Sequence, residues 1–176
     1  MTSEFKARLS ARVKATSVLG TVVVLGEAAL MLALATHVPA QLAPIFLVAG
    51  GALLALFAGV ALVAIRGYGL EAGALRVARP FWSTTHSLAG LRSAARDPKA
   101  LRVTFTVQFN GFGNNGFFAL NGWRRVEPYG WCRVLATDPD NAVVLCAAER
   151  TYIVTPDRPD EFVQQALALA RPAPHS

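Results

Sequence analysis

The chain has 176 residues and a net charge of +6, divided evenly: residues 1–66 hold five basic and two acidic residues, and residues 67–176 hold twelve and nine. No dense basic stripe stands out, which excludes a nucleic-acid surface and leaves the basicity to topology and anionic-lipid contact. More than half of the residues are hydrophobic, and they gather in two long apolar runs near the N-terminus, so the chain reads as a membrane protein.

The first run extends from Val18 to Thr36 and the second from Ile45 to Ile65, joined by the short Pro-bounded segment His37–Pro44. A bilayer core about 30 Å thick needs roughly 20 apolar residues in a helix, and both runs meet that length. Lys6, Arg8, Arg12 and Lys14 precede the first run like the n-region of a signal peptide. That reading fails because the run is long for an h-region and a second span follows at once. The same four basic residues, the uncharged loop, and Arg66, Arg76 and Arg79 after the second span predict that both termini face the cytoplasm across an inner membrane. Residues 1–66 are therefore expected to form a basic N-terminus and a helical hairpin, 67–171 a cytoplasmic domain, and 172–176 a tail.

Gly51, Ala55 and Gly59 recur at a spacing of four and share one helix face. Small residues so placed let helices approach closely in lipid. The expected partner is the first span, through Gly26, Ala29 and Ala33, or a second copy of the chain. Glu27 stands near the middle of the first span, where a charge costs at least a few kcal/mol unless it is protonated, paired or wet. It reads as polar glue between helices, or alternatively as the working residue of a membrane-embedded subunit of a transporter or enzyme complex.

After residue 66 the pattern is β. Residues 68–79 read as strand, turn, strand, with Leu75 and Val77 on one face and Arg76 between them. An extended piece follows at Phe81–Ser87, and then the segment Leu88–Ala95. Leu101–Gln108 alternates cleanly, with Leu101, Val103, Phe105 and Val107 on one face. Trp131–Ala136 and Ala142–Ala147 flank Asp138–Asn141, whose proline and Asx residues predict a hairpin turn. Tyr152–Thr155 is a last strand. Asp160 is then placed to cap a helix from Glu161 to about Arg171, with Phe162, Val163, Ala166 and Leu167 as its apolar face.

The strand hairpin, the Gly-rich middle, the segment WCRVLATDPDNAVVLCAAERTYIVTPDRPDEFVQQAL at 131–167 and the terminal helix together resemble the bacterial pleckstrin-homology-like domains, in particular those carried behind N-terminal membrane spans. The most specific pieces are the strands around Asp138–Asn141 and YIVTPDRPDEF at 152–162. The resemblance covers about residues 67–171. It implies a mainly-β PH-like domain of two orthogonal antiparallel sheets, about seven strands, capped by a C-terminal helix. It also implies a binding scaffold with no catalytic residues and no cofactor. Lipid-binding eukaryotic relatives carry a Lys/Arg cluster on the first hairpin. Here that hairpin has only Arg76 and Arg79, with acidic Glu71 in its turn, which argues against specific phosphoinositide recognition.

Gly111, Gly113 and Gly116 match G-x-G-x-x-G. A dinucleotide site needs a helix opening at that motif, and the following residues 117–122 are short, aromatic and end in Asn-Gly. The better reading is a Gly/Asn loop or bulged edge that carries Phe112, Phe117 and Phe118 toward a membrane surface or protein partner, with packing in the domain core as the alternative. Cys132 and Cys146, on the two arms of the expected hairpin, read as buried thiols and not as a zinc site, since His37, His86 and His175 are scattered. The sequence thus predicts a non-enzymatic binding or scaffold protein. Its expected partners are membrane lipids and a protein or a second copy. Its candidate surface residues are Phe112, Phe117, Phe118, Arg76 and Arg79, and Glu27 is its intramembrane polar residue.

Overall fold

A computed structural model describes residues 3–71, 73–101, 111–115 and 118–170. The chain opens with a short strand, β1 (Ser3–Lys6), and then enters a helical hairpin, α1 (Ala11–Ala35) and α2 (Ala43–Leu62). Ser10 caps α1, its Oγ accepting from the Val13 N–H at 3.2 Å. Both helices are long and apolar enough to cross a membrane, and only 6% of either span is buried inside the protein. Val18, Val22, Leu30, Ile45, Val48 and Leu56 all point outward. Two helices that are apolar on every side and bare on most of them belong in lipid, not in a soluble core.

The seam between α1 and α2 differs from the sequence expectation. It runs along Ala28 and Ala35 of α1 and Gly50 of α2, where an added Cβ would meet Leu32 and Met31 at 3.4 Å. Gly51, Ala55 and Gly59 are exposed, as are Gly26, Ala29 and Ala33. Residue spacing fixes which residues share a face but not which way that face turns. Both ends of the hairpin are tied to the β domain, through Ser10 before α1 and Val63 after α2.

That domain holds β2 (Gly67–Glu71), β3 (Ala74–Ala78), β4 (Ser83–Ser87), β5 (Ser93–Arg96), β6 (Gly111–Asn115), β7 (Leu120–Val126), β8 (Gly130–Ala136), β9 (Val143–Cys146), β10 (Thr151–Val154) and the helix α3 (Pro159–Ala170). The strands form two sheets, β1-β2-β3-β4 and β5-β9-β10-β8-β7-β6. The described residues therefore contain ten strands where about seven were expected. The expected strand over Leu101–Gln108 lies outside the described residues apart from Leu101, which is buried in a turn.

β1 is the main departure. Residues 3–6 belong by sequence to the stretch before the spans, yet they pair antiparallel with β2, from Ser3 opposite Leu70 to Lys6 opposite Gly67. Phe5 is 2% exposed and lies in the main core with Tyr68, Leu70, Leu75, Val77, Leu135 and Phe162. The hairpin is thus inserted between two neighbouring strands of one sheet.

The expected hairpin around Asp138–Asn141 is also rearranged. β8 and β9 are not paired with each other. β10 lies between them, antiparallel to β9 and parallel to β8. A 3-10 turn at Pro139–Asn141 carries the chain across that gap, and Asp138 closes it by accepting from the Asp140 N–H at 3.1 Å. Cys132 and Cys146 both stand opposite Thr151, one strand to either side. Two strand spacings are about 9–10 Å, beyond disulfide reach, and both thiols are free. α3 begins two residues earlier than expected, with Pro159 at its first position and Asp160 inside its first turn. Its Phe162 packs edge-on against Phe5, ring centroids 5.0 Å apart, and plugs the space between the sheets.

Candidate functional site: the base of the hairpin

Strand direction decides which part of the domain meets the membrane. β2 starts immediately after α2, and β3 ends opposite its first residue, Gly67 paired with Ala78. The β3–β4 turn therefore points back toward the hairpin. By the same logic the Leu120 end of β7 and the Ala136 end of β8, which pair with each other, lie at the hairpin, because the chain just before α1 bonds to the residue after β8. Trp131, at the other end of β8, lies about 16 Å farther away at about 3.3 Å per residue.

A buried polar hub joins these pieces. The Ser10 N–H donates to the Thr137 carbonyl at 3.2 Å, and Thr137 Oγ1 donates to the Arg8 carbonyl at 3.1 Å. The Thr137 N–H donates to Thr155 Oγ1 at 2.8 Å, and the Tyr68 hydroxyl donates to the Leu135 carbonyl at 2.8 Å. Residues entering α1, leaving α2, and ending β8 and β10 are thereby held by one network. Burial pushes the Tyr68 phenol up to about 12, against the opposing effect of its hydrogen bonds to Thr155.

Arg79 donates from Nη1 to the carbonyl of Val63, the C-cap residue of α2. A cation there meets the negative end of the helix dipole. The turn beyond it, closed by the Arg79 N–H donating to the Trp82 carbonyl at 2.8 Å, leaves Phe81 80% and Trp82 43% exposed. The sequence reading passed over this pair as part of an extended piece. The available signal was a Pro-Phe-Trp turn directly after an arginine, at the end of the first strand pair that follows the spans.

Of the two arrangements expected for the phenylalanine segment, a loop or a bulged edge, the structure has a strand: among the described residues Gly111–Asn115 pairs with β7 at the end of its sheet, and no helix opens there, so the dinucleotide reading fails its own condition. The side chain of Phe112 and all of Phe117 lie outside the described residues. Phe118, at φ +62°, turns its N–H to Ser17 Oγ of α1 at 2.9 Å and sets its ring 5.9 Å from that of Phe57 of α2. Its ring is packed against the chain's own hairpin.

Arg76 and Arg79, adjacent in the sequence reading, face different places. Arg76 lines an open groove of about 360 Å³ on the outer face of β1-β2-β3, together with Lys6 and Arg66, and with Glu4 as the acidic member. Gly67 and Gly69 form its floor, and a Cβ at Gly67 would lie 2.8 Å from the Phe5 carbonyl oxygen. Arg76 also pairs with Glu71 at 3.4 Å across exposed surface, a contact worth little in water. Glu27 lies on the exposed side of α1 and not in the seam, so it does not join α1 to α2.

No curated protein and no solved structure matches the chain. Residues 66–169 match the family model described as Bacterial PH domain. With two sheets closed by a C-terminal helix behind two apolar helices, the chain belongs to the bacterial PH domain family.

Proposed function

We propose that the protein is a non-enzymatic, membrane-anchored binding module, with its PH domain seated on the cytoplasmic face of the inner membrane as a scaffold for a protein partner, lipid head groups or a second copy. The observation that carries this reading is the insertion of the hairpin between β1 and β2, adjacent strands of one sheet. Both ends of the hairpin then lie on one side of the bilayer, and the basic flanks favour the cytoplasmic side. Phe81 and Trp82, beside the end of α2, suit the head-group zone where amphipathic rings gather. The groove with Lys6, Arg66 and Arg76, and the segment that carries Phe112 and Phe117, are the surfaces offered to partners. Reporter fusions should place His37–Pro44 outside and residue 176 inside. Crosslinking in native membranes should capture a partner that is lost on Lys6→Glu with Arg76→Glu. A periplasm-active reporter at residue 176 would remove the cytoplasmic scaffold, and capture unaffected by the charge reversals would remove the groove from it.

The outward placement of Glu27 favours a second reading, a membrane-embedded subunit of a transporter or enzyme complex that uses this carboxyl group. It requires cellular function to depend on Glu27 even when insertion and assembly are intact.

A further inference from the structure

One rank of side chains crosses the inner face of the six-stranded sheet through Ala94, Leu145, Tyr152, Arg133 and Trp123. Its first three members lie in the core, and the last two continue past it. The Arg133 guanidinium lies 5.9 Å from the centre of the Trp123 ring, and that of Arg150, from the β9–β10 turn, lies 5.6 Å from the same ring. Opposite, from the edge strand β4, the His86 ring stands 5.5 Å from Tyr152, and its Nε2 is buried with no hydrogen-bond partner among the described residues. Arg79 lies close enough to repel both His86 and Arg133, so burial and the three arginines together hold the imidazole below its ordinary range.

Every Asp and Glu of the chain lies within the described residues, and among these none forms an ion pair with Arg79, Arg133 or Arg150. Arg76, Arg96 and Arg158, by contrast, are paired with carboxylates. Arg133 and Arg150 meet at one ring without counter-charge, with Arg79 near Arg133, and an anion between them would remove the cost of holding these cations together. Planar forks of N–H donors match the oxygens of a phosphate group better than a lone halide.

We propose that Arg133, Arg150, Arg79 and His86, around Trp123, form a binding site for a phosphate-type oxyanion. Arg79, which also holds the end of α2, places one member of the site at the base of the hairpin, and a phospholipid head group and a free phosphate are both sources of the required chemistry. Anion binding in micelles does not depend on the membrane topology proposed above, so the two readings fail separately.

Trp123 is the reporter. The full-length chain in detergent micelles is titrated with inorganic phosphate, with sodium chloride at matched ionic strength as the control. In parallel it is placed in nanodiscs of phosphatidylcholine with and without phosphatidylglycerol. A change in Trp123 emission with phosphate assigns the site to a soluble ligand, and a change only with phosphatidylglycerol assigns it to the head group. Either response should vanish in Trp123→Phe. The apparent affinity should fall by about tenfold or more in Arg133→Gln with Arg150→Gln. Arg150→Gln alone, on an exposed turn, serves where the pair loosens the fold. Silence in both media, an equal response to chloride, or a response that survives these substitutions overturns the site.

Discussion

Phe5→Ala is the sharpest test of a hairpin inserted within a sheet. If residues 1–10 were only a basic lead-in to the first span, trimming a ring there would change nothing. In the structure Phe5 is 2% exposed, lies edge-on to Phe162 at 5.0 Å, and has the Arg158 guanidinium over its ring at 5.1 Å. Truncating a fully packed Phe costs about 3–5 kcal/mol, a large share of the roughly 5–15 kcal/mol that holds a domain together. Cys132 is a built-in probe of that loss. It is fully buried, burial and the neighbouring Cys146 push its thiol up to about 11, and it reacts only when the sheet opens. Maleimide labelling of the full-length chain in micelles should then be faster in Phe5→Ala by about two to four orders of magnitude, while Glu4→Ala, on the solvent side of the same strand, should stay within a few-fold of wild type. A fragment starting at residue 67 should label as an open protein, since it lacks β1 altogether. Phe5→Ala that labels at the wild-type rate would refute the assignment of β1 to the core.

Three further outcomes are expected. In vesicles of lipid brominated near the head groups, about a third of the tryptophan emission, one ring's share of the three present, should be quenched, and Trp82→Phe should abolish that fraction; unchanged quenching would take the β3–β4 turn out of the interface. Glu27→Gln should leave insertion and assembly nearly unchanged, whereas Glu27→Leu should weaken self-association measured by in-membrane energy transfer by about 1 kcal/mol; loss of cellular function in Glu27→Gln with normal assembly would favour ion chemistry. The Tyr68 phenol has a higher pKa folded than unfolded, so the folded state binds its proton more tightly. Its contribution is complete below about pH 10 and is lost as pH rises toward about 12, and Tyr68→Phe should remove the matching part of the alkaline unfolding profile.

What the sequence disclosed, and what it hid, follows from where each residue's information lies. The spans were legible because each is a long uniform run. β3 and α3 were legible because apolar residues recur at the period of their element, and β9 and β10 because each is a short continuous apolar run between turn residues. β7 was hidden because Gly122 and Arg124 occupy buried positions between Leu120 and Val126, on the face of the sheet opposite Trp123, so its alternation does not look hydrophobic. β1 was hidden because four residues are too few to show a period, and the adjacent basic residues already had an explanation. The partner of β8 could not be read, because a turn sequence specifies that the chain reverses and not whether another strand comes between the arms. The cation cluster is a product of that pairing: Trp123, Arg133 and Tyr152 become neighbours only when β10 lies against β8.

The inserted hairpin also changes what affinity the domain needs. A PH domain on a flexible linker samples many orientations, and a head-group site on it must overcome that freedom. Here the entry to α1 is bonded to Thr137, the exit of α2 is bonded to Arg79, and Phe118 packs against the helix pair, so the domain has one orientation on its spans. On the proposed reading, head groups meet the same face at high local concentration, and the orientational freedom of the domain is not lost again on binding. Contacts of modest individual strength suffice under those conditions. The absence of a dense Lys/Arg cluster on the first hairpin is thus compatible with lipid contact: an anchored domain has no need to recruit itself to the membrane, and its few arginines are free to select what they hold there.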